Sequence, residues 1–327
     1  GKEEMRVGYI TGATGCVGRN LVDELLCAGW NVVVLHRRTS DLSRLKGCKV
    51  RFQEVDLHDP VSTLNSLKAN TDAVFHVAAN TSHWPAEREQ QYKDNVIATR
   101  NLVQASLAKK VKKFIFTSTG ATNGCQFTDE RLANGIANGY IRTKRLSEIE
   151  VHKGVEQGLC AVTLHPIIVI GAYDYNNYSK FFSNLKSGRL KAALPGHIAF
   201  CHAADIARAH IQAFERGQCS ERYVLGGTYT TWLDAFQRIA KAVGAPPPTT
   251  TLSLPILKVA SYAMWIASMF TGKKPELTPE LIGLLGDSPD VDFCDKKKAK
   301  EELGYESRDL STMVKDCYDW LVKEGRI

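Results

Sequence analysis

A tyrosine and a lysine, Tyr140 and Lys144, lie four residues apart in a stretch with the pattern of a helix. Residues four apart share one face of a helix, so the two side chains would lie side by side. A phenol has a pKa of about 10 and exchanges protons poorly at neutral pH, but a neighbouring ammonium stabilises the phenolate. The pair could therefore pass a proton to or from a substrate oxygen.

Three hydroxyl-bearing residues follow the apolar run that precedes this helix. They are Thr117, Ser118 and Thr119, directly after Phe116. One of these hydroxyls could hydrogen-bond the same substrate oxygen. An exposed tyrosine and lysine are common on helices, so the pair is a specific signal only together with this strand end and a cofactor-binding motif.

Such a motif stands near the start of the chain, where a glycine-rich turn follows a β-like run and opens a helical pattern. Gly12 permits a tight turn, Gly15 lets the backbone approach a pyrophosphate, and Gly18 lets the helix pack closely on the strand. The helix N-terminus then offers N–H groups and the positive end of its dipole to phosphates. The predicted phosphate-binding residues are Gly12, Ala13, Thr14, Gly15, Cys16, Val17 and Gly18.

The end of the second predicted strand indicates which dinucleotide binds. An NAD-specific site carries a carboxylate there, about 20 residues after the glycines, but this chain has His36, Arg37 and Arg38. Guanidinium groups form charge-assisted bonds to a 2′-phosphate. We therefore expect NADP(H), with Arg37 and Arg38 as ligands. The alternative is an exposed basic turn, and even then the missing acid argues against strict use of NAD.

The elements that must position these residues alternate through the first half of the chain. Strand patterns cover 7–10, 32–35, 50–55, 72–77, 113–117 and 160–165, and helical patterns cover 17–27, 60–68, 90–109 and 140–155. Repeated units of this kind predict an α/β, Rossmann-type, doubly wound parallel sheet. Ligands bind at the carboxyl ends of such strands, which is where the motifs fall.

The second half is less regular and predicts a smaller C-terminal substrate lobe. We place the NADP(H)-binding domain at 1–165 and the substrate lobe at 166–327, with a segment at about 198–227 returning to the sheet. The predicted elements of this half are helices at 181–187, 203–216, 232–243, 296–303 and 310–323 and a strand at 223–225.

An apolar stretch at 254–270 stands out from the rest of this lobe. It is slightly shorter than the span of about 20 residues that crosses a bilayer. We favour a buried or substrate-covering helix over the alternative, an interfacial membrane-binding helix.

Composition excludes several classes of protein. The chain of 327 residues is 44% hydrophobic and 24% charged, which is ordinary for a soluble globular protein. Its net charge is +7, but the basic residues are dispersed, so we expect no nucleic-acid partner. The nine cysteines form no CxxC pair, which argues against a disulfide framework and a metal site and favours a reducing compartment. Without a signal-peptide pattern we expect a cytoplasmic protein.

Together, these motifs resemble the short-chain dehydrogenase/reductase family, in its extended, epimerase-like branch, over essentially the whole chain. The matching elements are the glycine turn at 11–18, Asp56-Leu57, 76–79, Asn95, 117–119, Tyr140-x-x-x-Lys144, His165-Pro166 and 200–207. The resemblance implies that Tyr140 is the proton donor or acceptor, that Lys144 also holds the nicotinamide ribose, and that Thr119 orients the carbonyl.

The resemblance also implies further cofactor contacts. Asp56 and Leu57 would bracket the adenine, and Asn95 would either contact the site or only brace the sheet. The remaining implied contacts along the cofactor and its nicotinamide are Ala78, Ala79, Asn80, Thr117, Pro166, Ile168 and Val169.

Within the family the chain is most similar to the dihydroflavonol reductase, cinnamoyl-CoA reductase and aldehyde-reductase group. We therefore expect an NADPH-dependent carbonyl reductase or alcohol dehydrogenase acting on a small apolar or aromatic substrate. His165 stands where many relatives have Arg, which argues against a sugar-nucleotide substrate, and Gly120-Ala121 replaces the Asp-Glu pair of sugar dehydratases. Candidate substrate contacts are Thr81, His83, Trp84, Thr119 and Tyr173, although Trp84 is as readily a core residue.

Three alternatives stay open. One is a sugar-nucleotide epimerase that recycles bound NAD, and a second is an enzyme similar to 3β-hydroxysteroid dehydrogenases. The third is a non-catalytic NADP(H) sensor, although such relatives usually lose the catalytic Tyr or Lys. The sequence is compatible with a monomer or with a homodimer paired through the helices at 90–109 and 140–155.

Overall fold

The computed structural model describes residues 5–122, 129–175, 177–286 and 296–327. Its centre is a seven-stranded parallel sheet in the order β3-β2-β1-β4-β5-β6-β9. The strands are β1 (Val7–Thr11), β2 (Asn31–His36), β3 (Arg51–Glu54), β4 (Ala73–His76), β5 (Lys113–Thr117), β6 (Ala161–Pro166) and β9 (Arg222–Leu225). The predicted Rossmann-type, doubly wound sheet is confirmed.

Helices cover both faces of this sheet because its strands are apolar on both sides. Successive residues of a strand point to opposite faces: Ile10 packs with Leu21 and Phe75 on one face, and Tyr9 packs with Leu102 on the other. The surrounding helices are α1 (Cys16–Cys27), α2 (Pro60–Ser66), α3 (Arg88–Tyr92), α4 (Ala98–Ala108), α5 (Glu130–Asn134), α6 (Gly139–Glu156) and α8 (Ala203–Glu215).

The helix predicted at 90–109 contains an irregular turn. A π-helical segment, Lys93–Ile97, joins α3 to α4 and carries Asn95. Single π turns of this kind often occur at functional sites, because the wider turn changes where side chains point. Here it directs Asn95 into the interior, where the residue is buried.

The C-terminal lobe has a small sheet of its own, made of β7 (Ile168–Ile170), β8 (His197–His202) and β10 (Thr228–Thr231). β8 runs parallel to β7 and antiparallel to β10. Of the segment at 198–227, only β9 joins the larger sheet. The lobe's helices include α7 (Lys180–Lys186), α9 (Trp232–Val243) and α12 (Leu310–Lys323), which pack around Phe182, Phe200, Trp232, Phe236 and Met313.

The apolar stretch forms α10 (Leu254–Thr271), followed by α11 (Pro279–Gly286). On α10 only Leu257, Ser261 and Ser268 are buried, so the expectation of a buried helix is wrong, whereas a substrate-covering helix stays a prediction. Its inner face is narrow, and each of the two serine hydroxyls donates a hydrogen bond to a carbonyl of the helix itself. By length and composition alone, α10 is the single described helix that could cross a membrane.

The structure contains a disulfide bond, although the cysteine spacing argued against a disulfide framework. Cys160, just before β6, is bonded to Cys219, in the loop before β9, across 59 positions of sequence. The two strands are neighbours in the sheet, which brings the cysteines together with a Cα–Cα distance of 4.7 Å. Spacing alone could not show this, since the pairing depends on strand order. Cys125 and Cys294 lie outside the described residues.

Candidate active site

Glycine occupies the three positions of the turn after β1 for different reasons. Gly12 has φ +74°, and a Cβ there would sit 2.7 Å from the backbone nitrogen of Ala78. A Cβ on Gly18 would overlap the carbonyl of Gly12. The fold itself therefore requires these two glycines. Gly15 is exposed, and its Cβ would come no closer than 3.5 Å to the protein, so its missing side chain leaves room for a ligand.

The start of α1 fits an anionic group at this open position. Gly15 is the N-cap residue and no side chain caps the helix, so the N–H groups of the first turn have no side-chain acceptor. They add to the positive end of the helix dipole. A hydrogen bond of 2.8 Å between Thr11 Oγ1 and His76 Nδ1 joins the carboxyl ends of β1 and β4. These residues fit the pyrophosphate of a dinucleotide.

The predicted adenosine contacts surround the ends of β2 and β3. Arg37 and Arg38 are exposed, and the Arg37 guanidinium lies 4.0 Å from Asp94. Asp56 is exposed and accepts a hydrogen bond from the His58 backbone N–H at 2.9 Å. Two exposed cations therefore lie just after β2.

Asn95 ties the loop after β4 to α6. Its Oδ1 accepts a hydrogen bond from Asn80 N at 2.7 Å, and its Nδ2 donates to Asn80 O at 3.0 Å and to Thr143 Oγ1 at 2.9 Å. Its amide is thus occupied by protein groups, which favours bracing over ligand contact. The bracing supports the loop whose start, at Ala78, lies against Gly12 of the glycine turn.

Tyr140, Lys144 and Thr119 come together where β5 ends and α6 begins. Thr119 lies near the Tyr140 phenol, because its side chain opposes the rise in the pKa of Tyr140. Lys144 Nζ donates to Thr117 O at 2.7 Å and lies 4.3 Å from the centre of the Phe116 ring. The three side chains singled out by their types and spacing therefore form one cluster.

Burial decides the protonation of this cluster. It raises the pKa of Tyr140 to about 12, and the Glu148 carboxylate adds to the rise while Thr119 opposes it. Burial lowers the pKa of Lys144 to about 8, against the opposing effect of Glu148. We expected the ammonium to lower the pKa of the phenol, but burial raises it instead. At neutral pH Tyr140 is therefore a protonated phenol.

Glu148 is a site residue that sequence reasoning missed. Its carboxylate is fully buried and accepts hydrogen bonds from Ser118 Oγ and, at 2.8 Å, from Thr122 Oγ1. His165 Nδ1 lies 3.6 Å away, and burial lowers the pKa of this histidine. The signal was present in the sequence, because Glu148 follows Lys144 at the spacing at which Lys144 follows Tyr140.

The predicted substrate contacts divide into two groups. The His83 ring packs edge-on against the Tyr140 ring with centroids 5.6 Å apart. Thr81, which is exposed, and Trp84, which is half-buried, lie in the same loop. Tyr173 is not brought to this cluster, because its ring covers the Arg19 guanidinium at 4.4 Å on α1.

Tyr178, from the same loop as Tyr173, lies closer to Tyr140. Its pKa is raised by burial and by the Tyr140 phenol, which places the two side chains near each other. Pro166 ends β6 and is buried, and Ile168 and Val169 are half-buried in β7, directly beyond it. Apolar and aromatic side chains therefore form much of this part of the site.

The segment after α10 covers the N-terminus of α6. Glu280 accepts a hydrogen bond from Gly139 N at 3.1 Å and forms an ion pair with Arg88. Asn138 Nδ2 donates to the Glu280 backbone oxygen at 3.3 Å. Lys274 Nζ donates to Ser82 Oγ at 2.9 Å. These contacts join distant parts of the chain and leave no local sequence signal.

Comparison with known proteins agrees with this geometry. Two relatives match almost end to end: a putative dihydroflavonol 4-reductase of Synechocystis sp., 24% identical over 98% of this chain and 95% of its own, and sterol demethylase protein B of Methylococcus capsulatus, 27% identical over 97% and 99%. The crystal structure of gox2253 superposes with a TM-score of 0.81 and 29% identity over 98% of this chain and 99% of its own. Residues 9–226 match the model of the NAD dependent epimerase/dehydratase family, and the chain belongs to that family.

Proposed function

We propose that this protein is an NADPH-dependent reductase of small, largely apolar or aromatic aldehydes or ketones. The observation that carries the proposal is the grouping of Tyr140 and Thr119 with the buried Lys144 where β5 ends and α6 begins. The phenol is protonated at neutral pH, which suits the reduction of a carbonyl better than the oxidation of an alcohol.

The reaction needs a hydride at carbon and a proton at oxygen. NADPH, when bound, supplies the hydride to the carbonyl carbon. Tyr140 gives its proton to the oxygen, which becomes the alcohol, and Thr119 donates a hydrogen bond to that oxygen as negative charge develops. The Lys144 ammonium offsets the charge left on the Tyr140 phenolate until solvent returns the proton. Alcohol oxidation would use the same groups in reverse.

The preference for NADPH rests on charge at the end of β2. Arg37 and Arg38 are exposed there, and no carboxylate stands in the His36–Arg38 turn to repel a 2′-phosphate. The family's description names NAD, so this preference needs its own test. In the double variant R37S/R38S, we expect the Kd for NADPH to rise at least about tenfold, since a charged hydrogen bond contributes about 1.5–3 kcal/mol. The Kd for NADH should stay nearly unchanged.

The class of substrate follows from the groups around Tyr140. His83, Trp84 and Tyr178 offer ring surfaces, and the names of two relatives point to a flavonoid and to sterols. The direct test is consumption of NADPH by the purified protein with aromatic, terpenoid and steroidal aldehydes and ketones, with NADH in parallel. We expect turnover with NADPH.

Two results would contradict the proposal. Faster turnover with NADH than with NADPH would contradict the role of Arg37 and Arg38 in selecting NADPH. No turnover with any carbonyl, together with NAD(H) that co-purifies with the protein, would favour an epimerase that keeps its cofactor.

A further inference from the structure

The outward face of α10 is the largest concentration of exposed apolar side chains on the described part of the molecule. Of fifteen exposed large apolar side chains there, seven lie on this helix. We call them the α10 face: Ile256, Val259, Tyr262, Met264, Ile266, Met269 and Phe270. Contiguous apolar surface of this kind usually marks an interaction site.

Most charged side chains beside the α10 face are basic. Lys258 lies on the helix and Lys273 directly follows it, whereas Lys274 forms an ion pair with Glu87 at 3.1 Å and Glu276 is acidic. Ala193 pairs with Thr251 just before the helix, and the segment that leads to Ala193 carries exposed basic residues. These are Lys186, Arg189 and Lys191. Apolar side chains with basic neighbours suit a membrane that carries anionic lipids.

The helix is held on the protein at both ends, which excludes a membrane-spanning arrangement. Hydrogen bonds join Ala193 to Thr250 and Leu252 just before α10, at 2.9 and 2.8 Å. Lys274, just after it, is bonded to Ser82. Leu257 and the two buried serines keep the inner face against the fold. The helix can therefore lie in the plane of a membrane surface but cannot cross the membrane.

A second copy of the chain is a weaker partner for this face. A helix of 18 residues is about 27 Å long and about 10 Å wide. Such a strip is far smaller than the roughly 800 Å² that each partner buries in a stable interface. The face is also convex, which suits fluid lipid better than a rigid partner.

We propose that the α10 face docks this protein on the surface of an anionic phospholipid membrane. The segment after α10 covers Gly139, next to Tyr140, so docking would bring the mouth of the active site to the lipid. An apolar carbonyl compound dissolved in the bilayer could then enter without crossing water. This delivery of substrate rests on the proposed function, but the docking does not.

The test is cosedimentation of the purified protein with vesicles of phosphatidylcholine alone and of phosphatidylcholine mixed with phosphatidylserine. We expect the wild type to bind the mixed vesicles more strongly. The variant V259Q/F270Q changes side chains that are 72% and 85% exposed, so the fold should tolerate it. It should bind at least about tenfold more weakly, because two apolar side chains no longer enter lipid.

Val61 and Val322 provide the matched control, since they are 63% and 48% exposed on other helices. The variant V61Q/V322Q should bind vesicles as the wild type does. The proposal is overturned if the wild type stays in the supernatant with both vesicle types, or if both double variants lose binding equally. It is also overturned if V259Q/F270Q converts a dimer of the wild type into a monomer but binds vesicles as the wild type does.

A separate assay with a water-soluble aldehyde and no vesicles tests the reductase alone. Wild type and V259Q/F270Q should be equally active in it. An inactive protein that still binds vesicles would refute the proposed function and leave the docking in place. An active protein that does not bind vesicles would refute the docking and leave the proposed function in place.

Discussion

At the scale of single residues, the glycine turn separates what the fold needs from what a cofactor needs. A Cβ on Gly18 would overlap the backbone of Gly12, whereas a Cβ on Gly15 would have space. We expect Gly18→Ala to lower the thermal unfolding midpoint by several degrees, since overpacking costs about 1–3 kcal/mol. Gly15→Ala should leave the midpoint nearly unchanged but raise the Kd for NADPH at least about tenfold, because its methyl group would meet the pyrophosphate.

Thermal scans and fluorescence titrations with NADPH on the same two variants check this prediction. If Gly15→Ala unfolded as early as Gly18→Ala, Gly15 would be a structural residue and the assignment of the phosphate site would lose its main support.

The protonation of Lys144 gives a pH dependence for reduction. Burial lowers its pKa to about 8, so the ammonium is present at pH 6–7 and is lost as pH rises. Since the ammonium stabilises the phenolate that forms at Tyr140, we expect kcat for reduction to be flat below about pH 7 and to fall above about pH 8. The measurement is kcat at saturating substrate and NADPH across pH, with circular dichroism to confirm that the protein stays folded. A kcat that rises through pH 8 would contradict this role.

At the scale of elements, the N-terminus of α6 is held by α11 through Glu280. Its carboxylate accepts from Gly139 N and pairs with Arg88, next to Tyr140. We expect Glu280→Gln to loosen this cover and raise KM for the carbonyl substrate several-fold, while the Kd for NADPH stays the same. Glu276→Gln, which changes an exposed carboxylate just before α11, is the matched control. Equal kinetics in both variants would show that the cover does not shape the substrate site.

The elements also show how far local sequence patterns predict this structure. β5, α9 and α12 have the predicted boundaries, because an apolar run or a helical period is a local property of the chain. β10 was missed, since its Thr-Tyr-Thr-Thr sequence lacks apolar alternation and the strand forms only by pairing with β8. α11 was missed as well.

The site shows the same contrast between features that local patterns predict and features that only the folded structure creates. Tyr140, Lys144 and Thr119 belong to adjacent local motifs and were predicted together. The protonation of Tyr140 was not, because it depends on how deeply the finished fold buries the phenol. The cover by Glu280 depends on a contact between positions 141 residues apart, which no pattern in the sequence records.

At the scale of the whole molecule, the Cys160–Cys219 bond links the ends of two sheet neighbours. It closes a loop across 59 positions, which by chain entropy stabilises the fold by about 4 kcal/mol. We expect dithiothreitol to lower the thermal midpoint of the wild type. Cys160→Ser should have this same lowered midpoint both with and without the reductant. The number of free thiols per chain, measured by thiol titration, should rise by two on reduction. Equal midpoints for the oxidised and reduced wild type would contradict a stabilising bond.

The central claim is that Tyr140 donates the proton in an NADPH-dependent carbonyl reduction. The most direct measurement compares kcat for NADPH consumption in the wild type, Tyr140→Phe and Tyr229→Phe, alongside the Kd for NADPH. Tyr229 is an exposed tyrosine on β10 and serves as the control. We expect Tyr140→Phe alone to lose about 10²–10⁴-fold in kcat, with the Kd for NADPH unchanged. Unaltered turnover in Tyr140→Phe would contradict the assignment of the proton donor.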